Sequence, residues 1–128
     1  MATIEEGYVS FETAKLLKSK KFHVPTRSHY DGRGGFGFCV ICKVDWNNYK
    51  CFRERRCYSA PTLQVAMKWL REVYNFHIWV EPNHDKEGLY NAHVKVGWWS
   101  NNWAGVGYNT YEKATEEAIK YCLKHLIK

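Results

Sequence analysis

The residues of this chain able to do chemistry are five cysteines (Cys39, Cys42, Cys51, Cys57 and Cys122) and six histidines (His23, His29, His77, His84, His93 and His125). The first four cysteines follow the spacing C-x2-C-x8-C-x5-C, which matches no common zinc ribbon or knuckle. In a regular strand, positions 39 and 42 point to opposite faces, so the two thiols cannot chelate one ion without a turn. Val40 and Ile41, both β-branched, disfavour that turn. Buried reduced thiols are therefore expected, with no metal and no other cofactor. Nucleophilic catalysis needs a thiol or hydroxyl, a base and an orienting group. No local spacing unites these residues, so no catalytic residue is assigned. Glu116 and Glu117 are expected to face outward on the last helix, which removes a paired-carboxylate site.

The glycine-rich run GRGGFGFCV admits three chemistries. Gly32, Gly34, Phe36 and Gly37 match a kinase glycine loop, yet the chain lacks the HRD and DFG elements and is too short. A dinucleotide fingerprint would open a helix, whereas this run precedes a strand. GFGF also resembles the core of an RNA-recognition strand, which would aim Phe36 and Phe38 at bases. The order βαββαβ of that fold is missing, and Cys39 stands where an aliphatic is usual. A glycine-rich turn feeding a buried strand accounts for the run better.

Charge is unevenly placed. Residues 1–60 carry eleven Lys/Arg against six Asp/Glu, and residues 61–128 carry eight against seven, within a net charge of +6. The basic half contributes Lys15, Lys18, Lys20, Lys21, Arg27, Arg33, Arg53, Arg55 and Arg56 as candidate contacts to nucleic acid or an acidic partner. Its alternative is a solvated surface, and lysines near a helix end also suit the helix dipole.

These residues must be positioned by elements that the pattern names. The run Thr62–Glu81 is the centre of the chain. Leu63, Ala66, Met67, Leu70, Val73 and Tyr74 recur at helical spacing, and then Phe76, Ile78 and Val80 alternate at strand spacing. The change falls at Asn75, a residue that tolerates the left-handed conformation. Upstream, Ser10 caps a short helix lined by Phe11, Ala14, Leu17 and the stem of Lys18. Val24–Gly35 is rich in turn formers and reads as a mobile loop. A strand over Phe36–Val44, a turn at Asn47-Asn48 and a strand over Tyr49–Tyr58 form a hairpin. Downstream, a polar loop over 82–88 leads to a strand holding Tyr90, Ala92, Val94, Val96 and Trp98. A third strand holds Ala104, Val106 and Tyr108. Thr110 caps a final helix with Ala114, Ala118, Ile119, Cys122, Leu123 and Leu126 inward and Tyr111 at its start.

If the even positions of these strands face the core, Ile78, Val94, Val96 and Val106 are buried against Met67, Leu70, Ile119 and Leu123. The opposite face then collects His77, Trp79, His93, Lys95, Trp99 and Trp103. Such a surface is either covered by the first helix, as in an α/β/α sandwich, or used as a binding face.

Two resemblances follow from these runs. APTLQVAMKWLREVYNFHI with TYEKATEEAIKYCLKHL resembles uncharacterised small proteins of gut-bacterial phages and mobile elements, whose layering is similar to phage ABA-sandwich domains. That resemblance implies an accessory protein and assigns no chemistry. Residues 62–127, in the order α-β-β-β-α, resemble the double-stranded RNA-binding domain. Glu112, Thr115, Glu116 and Glu117 crowd the turn where that family presents lysines, leaving Lys113.

The fold class expected is α+β: one antiparallel sheet of about five strands with packed helices, ordered α-β-β-α-β-β-β-α. A length of 128 residues suits one domain, with a basic half at 1–60 and an α-β-β-β-α half at 61–128. MATIEEGYVS has no apolar block, so no signal peptide is expected. No apolar run reaches the ~20 residues of a membrane span. With an odd cysteine count, these features suggest a reducing cytoplasm, and the resemblance to phage and mobile-element proteins implies that of a bacterial host. The expected function is a small non-enzymatic binding protein that contacts protein or nucleic acid through the basic half. The alternative is a small-molecule binder or enzyme using the 24–37 loop with nearby Cys and His. Neither the partner nor the oligomeric state is named by the sequence.

Overall fold

The computed structural model describes residues 7–48, 56–98 and 100–127. The chain divides into two compact units, Met1–Thr62 and Leu63–Lys128. Among the described residues each unit holds its own three-stranded antiparallel sheet. The class is α+β as expected, but six strands in two sheets replace one sheet of about five.

In the first unit, helix α1 (Phe11–Ser19) starts at Ser10, whose Oγ accepts the Thr13 N–H at 3.2 Å. It stops in a Schellman arrangement. The Lys21 N–H bonds the Lys18 carbonyl and the Phe22 N–H bonds the Leu17 carbonyl, both at 3.1 Å. Lys21 sits at φ 64° between them. Phe22 and Leu17 are both fully buried, the apolar contact this motif favours.

The sheet of this unit is ordered β2-β1-β3, from β1 (Ser28–Tyr30), β2 (Phe36–Phe38) and β3 (Tyr58–Ser59). Strand β1 lies inside the stretch read as a mobile loop. Polar satisfaction explains it: Ser28 Oγ donates to the Ala60 carbonyl at 2.7 Å, and the Ala60 N–H returns a bond to the Ser28 carbonyl at 3.0 Å. Thr26 and Ser28 are buried, so turn-forming composition here serves a strand whose side chains bond to backbone. The expected Phe36–Val44 strand stops at Phe38. Val40 and Ile41 are exposed, and so are Phe36 and Phe38, because β2 is an edge strand rather than a buried one. The expected hairpin partner of that strand lies mostly at 49–55, outside the described residues. Its end, β3, pairs with β1.

In the second unit, helix α2 (Leu63–Tyr74) buries Leu63, Ala66 and Leu70. Val73, expected inside, is exposed, since the buried stripe is only one residue wide per turn. Asn75 ends the helix at φ 60°, and its carbonyl accepts the Gly97 N–H at 2.8 Å. Strands β4 (Phe76–Pro82), β5 (Tyr90–Val96) and β6 (Ser100–Tyr108) follow in spatial order β4-β5-β6. Helix α3 (Tyr111–Tyr121), capped by Thr110, passes into a π-helical turn at Cys122–Leu126. It packs on all three strands and on α2, so both helices share one face of this sheet.

Val94, Leu70, Ile119 and Leu123 are fully buried; Ile78, Val96 and Met67 are only half-buried. Val106, expected in the core, is 69% exposed. The cause is the β5–β6 ladder, which shifts register between Tyr90/Ala92 and Val94/Lys95. Trp103 pairs with Val94 and buried Gly105 with Ala92, so the odd positions of β6 turn inward there. Glu116, expected outside, is buried on α3. No helix of the described residues is long and apolar enough to cross a membrane.

Candidate functional site

The hairpin turn between β1 and β2 is tied by one side chain. Asp31 Oδ1 accepts the Arg33 and Gly35 N–H groups at 2.8 and 2.9 Å. Gly34 takes φ 88°, and a Cβ there would stand 3.0 Å from the Phe11 ring, so conformation and space both require glycine. This turn brings Arg33 beside Arg56. With Asp31, Gly32 and Tyr58 they line a pocket of about 470 Å³.

Aromatic rings extend this pocket. Phe11 meets Tyr58 edge-on at 5.5 Å and Tyr30 at 5.5 Å, and Phe36 meets Tyr30 at 5.6 Å and Tyr8 at 5.1 Å. Two lysines of α1 lie over the same rings. Lys15 Nζ is 4.6 Å from the Phe11 centroid, and Lys18 Nζ is 4.8 Å from that of Tyr58. Lys18 also donates to the Cys57 carbonyl at 3.1 Å. Phe11 and Tyr58 are half-buried, and each cation over such a ring contributes about 0.5–1 kcal/mol. The cluster thus presents Lys15, Lys18, Arg33 and Arg56 around Phe11 and Tyr58, with one carboxylate whose charge two backbone N–H groups already share. Its chemistry is recognition of an anion that also carries flat surfaces.

Of the other candidate basic residues, Lys20 and Lys21 close α1 and Arg27 donates from Nη1 to the Val40 carbonyl, away from this cluster. Arg53 and Arg55 lie outside the described residues. Tyr58, Phe11 and Asp31 were not singled out as ligands by sequence. The helical i, i+4 spacing of Phe11 and Lys15 was the one signal available.

The aromatic face of the second sheet is partly assembled. His77 pairs with Lys95 and Trp79 with His93 across β4 and β5. Trp79 stacks on His93 at 4.8 Å, and Glu81 Oε1 accepts from His93 Nε2 at 2.8 Å. His77 lies 5.6 Å from Trp98. Trp79 is 40% exposed on the face opposite the helices. Trp103, expected with them, is on the helix side, stacked on Tyr121 at 5.1 Å. Trp99 lies outside the described residues.

Cys39 and Cys42 correct the expectation of opposed, buried thiols. Both are half-exposed, and the chain bends at Val40 and Ile41 between them. Hydrogen bonding from the Cys42 thiol, then from the N–H groups of Ile41 and Cys42, and the charge of Arg27 pull the Cys39 thiol below its ordinary value against some burial. The same hydrogen bonding between the thiols, with some burial, pushes Cys42 up. Cys57 and Cys122 are buried as expected, and burial pushes Cys122 up to about 12. Cys51 lies outside the described residues. No group of three metal-ligating side chains occurs among the described residues.

No family model, no curated protein and no solved structure matches this chain.

Proposed function

We propose that the chain is a binding module that holds single-stranded nucleic acid through its basic N-terminal half. One observation carries this: Lys15, Lys18, Arg33 and Arg56, drawn from three segments, gather around the rings of Phe11 and Tyr58. Phosphates would meet the cations while unstacked bases lie on the rings, and Phe36 and Phe38, 48% and 51% exposed, extend the surface. A duplex hides its base faces and would leave these rings unused.

The second unit has the element order of a double-stranded RNA-binding domain, but its helix start is a poor phosphate site. Lys113 Nζ lies 2.9 Å from Glu117 Oε1, and Lys120 Nζ is 3.8 Å from the same oxygen. That neutralisation supports contact through the first unit. The free thiols of Cys39, Cys42, Cys57 and Cys122 suit a reducing compartment, and the likeness to phage and mobile-element proteins would make that the cytoplasm of a bacterial host.

Fluorescence anisotropy of the whole chain with labelled single strands and duplexes of equal length tests this. Single strands should bind with little sequence preference, and affinity should fall steeply with salt. Absence of binding at low salt, or a preference for duplex, would remove the proposal.

A second reading, an anionic small ligand, is favoured by the pocket itself, whose size lies within the range of ligand sites. Its lining has no Cys or His, so it carries binding rather than thiol or imidazole chemistry.

A further inference from the structure

The pairing of β1 with β2 is interrupted by an excursion. Ser28 pairs with Phe38 and Thr26 with Val44, so the five residues Cys39 to Lys43 stand opposite Arg27 alone. Both ends are pinned. The Cys39 N–H bonds the Arg27 carbonyl at 2.7 Å, and Thr26 and Val44 exchange two backbone bonds of 3.0 Å. Arg27 also holds the excursion from beneath, donating to the Val40 carbonyl. The tip is open, with Ile41 93% exposed, and the two half-exposed cysteines flank the bend at Val40 and Ile41. Buried structural thiols need none of these features. A bare pair of thiols that solvent reaches, set in a pinned turn beside a guanidinium, has the arrangement that thiol–disulfide exchange requires.

We propose that Cys39 and Cys42 form a reversible dithiol–disulfide couple, with Cys39 attacking and Cys42 resolving. The co-reactant is a small disulfide such as oxidised glutathione. The Cys39 thiolate attacks one sulfur of that disulfide, forming a mixed disulfide and releasing one glutathione thiolate. Cys42 then loses its proton to solvent and attacks Cys39 Sγ, closing the Cys39–Cys42 bond and releasing the second thiolate. The protein dithiol gives up two electrons and two protons, and two molecules of reduced glutathione result. The couple lies in the unit that carries the basic cluster but does not depend on the nucleic-acid reading.

Trypsin cuts after Arg33 and Lys43, releasing a peptide, 34–43, that holds these two cysteines and no other. The whole protein is equilibrated with graded ratios of reduced to oxidised glutathione, acid-quenched, alkylated and mapped by mass spectrometry. The 34–43 peptide should pass from two alkylated thiols to an internal disulfide, two hydrogens lighter than the free dithiol and bearing no alkyl group, in one two-electron transition. In Cys42→Ser the glutathione adduct should persist on Cys39, and in Cys39→Ser adduct at Cys42 should form several-fold more slowly. Independent glutathione adducts on both residues, a peptide that stays reduced, or a disulfide to another cysteine would each overturn the couple. So would protection of both thiols by zinc, reversed by a chelator without any disulfide. The wild-type mapping needs no variant, so a misfolded substitution does not leave the question open.

Discussion

The side-chain carbonyl of Asn47 accepts the backbone N–H of Ser59 at 3.0 Å, while its amide donates to the Phe22 carbonyl at 2.7 Å. One buried carboxamide thus joins the end of β3 to the segment that leaves α1. Beside it, Trp46 Nε1 donates to the Thr26 carbonyl at 2.8 Å. The first unit is held together as much by such side-chain bonds to backbone as by its short strands.

Asn47→Ala should therefore cost about 2–6 kcal/mol, because it strands a buried donor and a buried acceptor, each worth roughly 1–3 kcal/mol. Asn47→Asp should lose the bond to Phe22 and keep the one to Ser59. Urea unfolding of both variants checks this. An alanine variant within 0.5 kcal/mol (about the scatter of a surface change) would show that water replaces both partners.

Lys21 holds φ 64° at the C-terminal cap of α1, where a Cβ is unfavourable. Lys21→Gly should raise stability by about 0.5–1 kcal/mol, since glycine adopts this conformation without the steric penalty. Lys21→Val should lower it by more than glycine raises it. The thermal midpoints of the two variants, measured side by side, should fall on opposite sides of the parent.

How much of this was legible beforehand depended on whether a signal was local. The Ser10 and Thr110 caps and the left-handed Asn75 are local, and sequence pointed to all three. The inward face of β5 followed from alternation. The inward face of β6 did not, because two register shifts put Trp103 beside Val94 and left Val106 outside. Alternation presumes an unbroken ladder, and a bulge flips every side chain beyond it. The facing of Cys39 and Cys42 departs for the same reason. Opposed thiols require a regular strand through residue 44, whereas β2 stops at Phe38 and the chain bends at Val40 and Ile41. In the basic cluster, the cations were visible as composition and Lys15 over Phe11 is an i, i+4 pair, but Tyr58 under Lys18 is a long-range contact that composition does not contain.

His29 stacks on Trp46 at 4.1 Å, and burial pushes its pKa below the ordinary value against a smaller opposing pull from Asp31. The folded form thus resists protonation more than the unfolded chain does. Its contribution to stability is complete above the unfolded value of about 6.5 and is lost as pH falls through the folded one. The urea midpoint should rise with pH across the window just below 6.5. His29→Phe keeps a ring on Trp46 and removes the titration, so its midpoint should rise less over that window. An equal slope in the two proteins would show that other groups cause the dependence.

The two halves of the chain differ as nucleic-acid contacts in a way that salt dependence separates. Arg33 and Arg56 share one pocket, whereas Lys113 and Lys120 both lie against Glu117. Each phosphate contact to a single strand contributes about −0.7 to the slope of log affinity against log salt. Arg33→Gln with Arg56→Gln should therefore weaken binding at low salt and flatten that slope by about 1.4, twice the single-contact value. Lys113→Gln with Lys120→Gln should change neither quantity beyond error. Tyr58→Leu should lower affinity while leaving the slope unchanged, because a stacked base releases no counterion. If instead the Lys113 and Lys120 pair flattens the slope and the arginine pair does not, the contact lies on α3 and the second unit is the binding one.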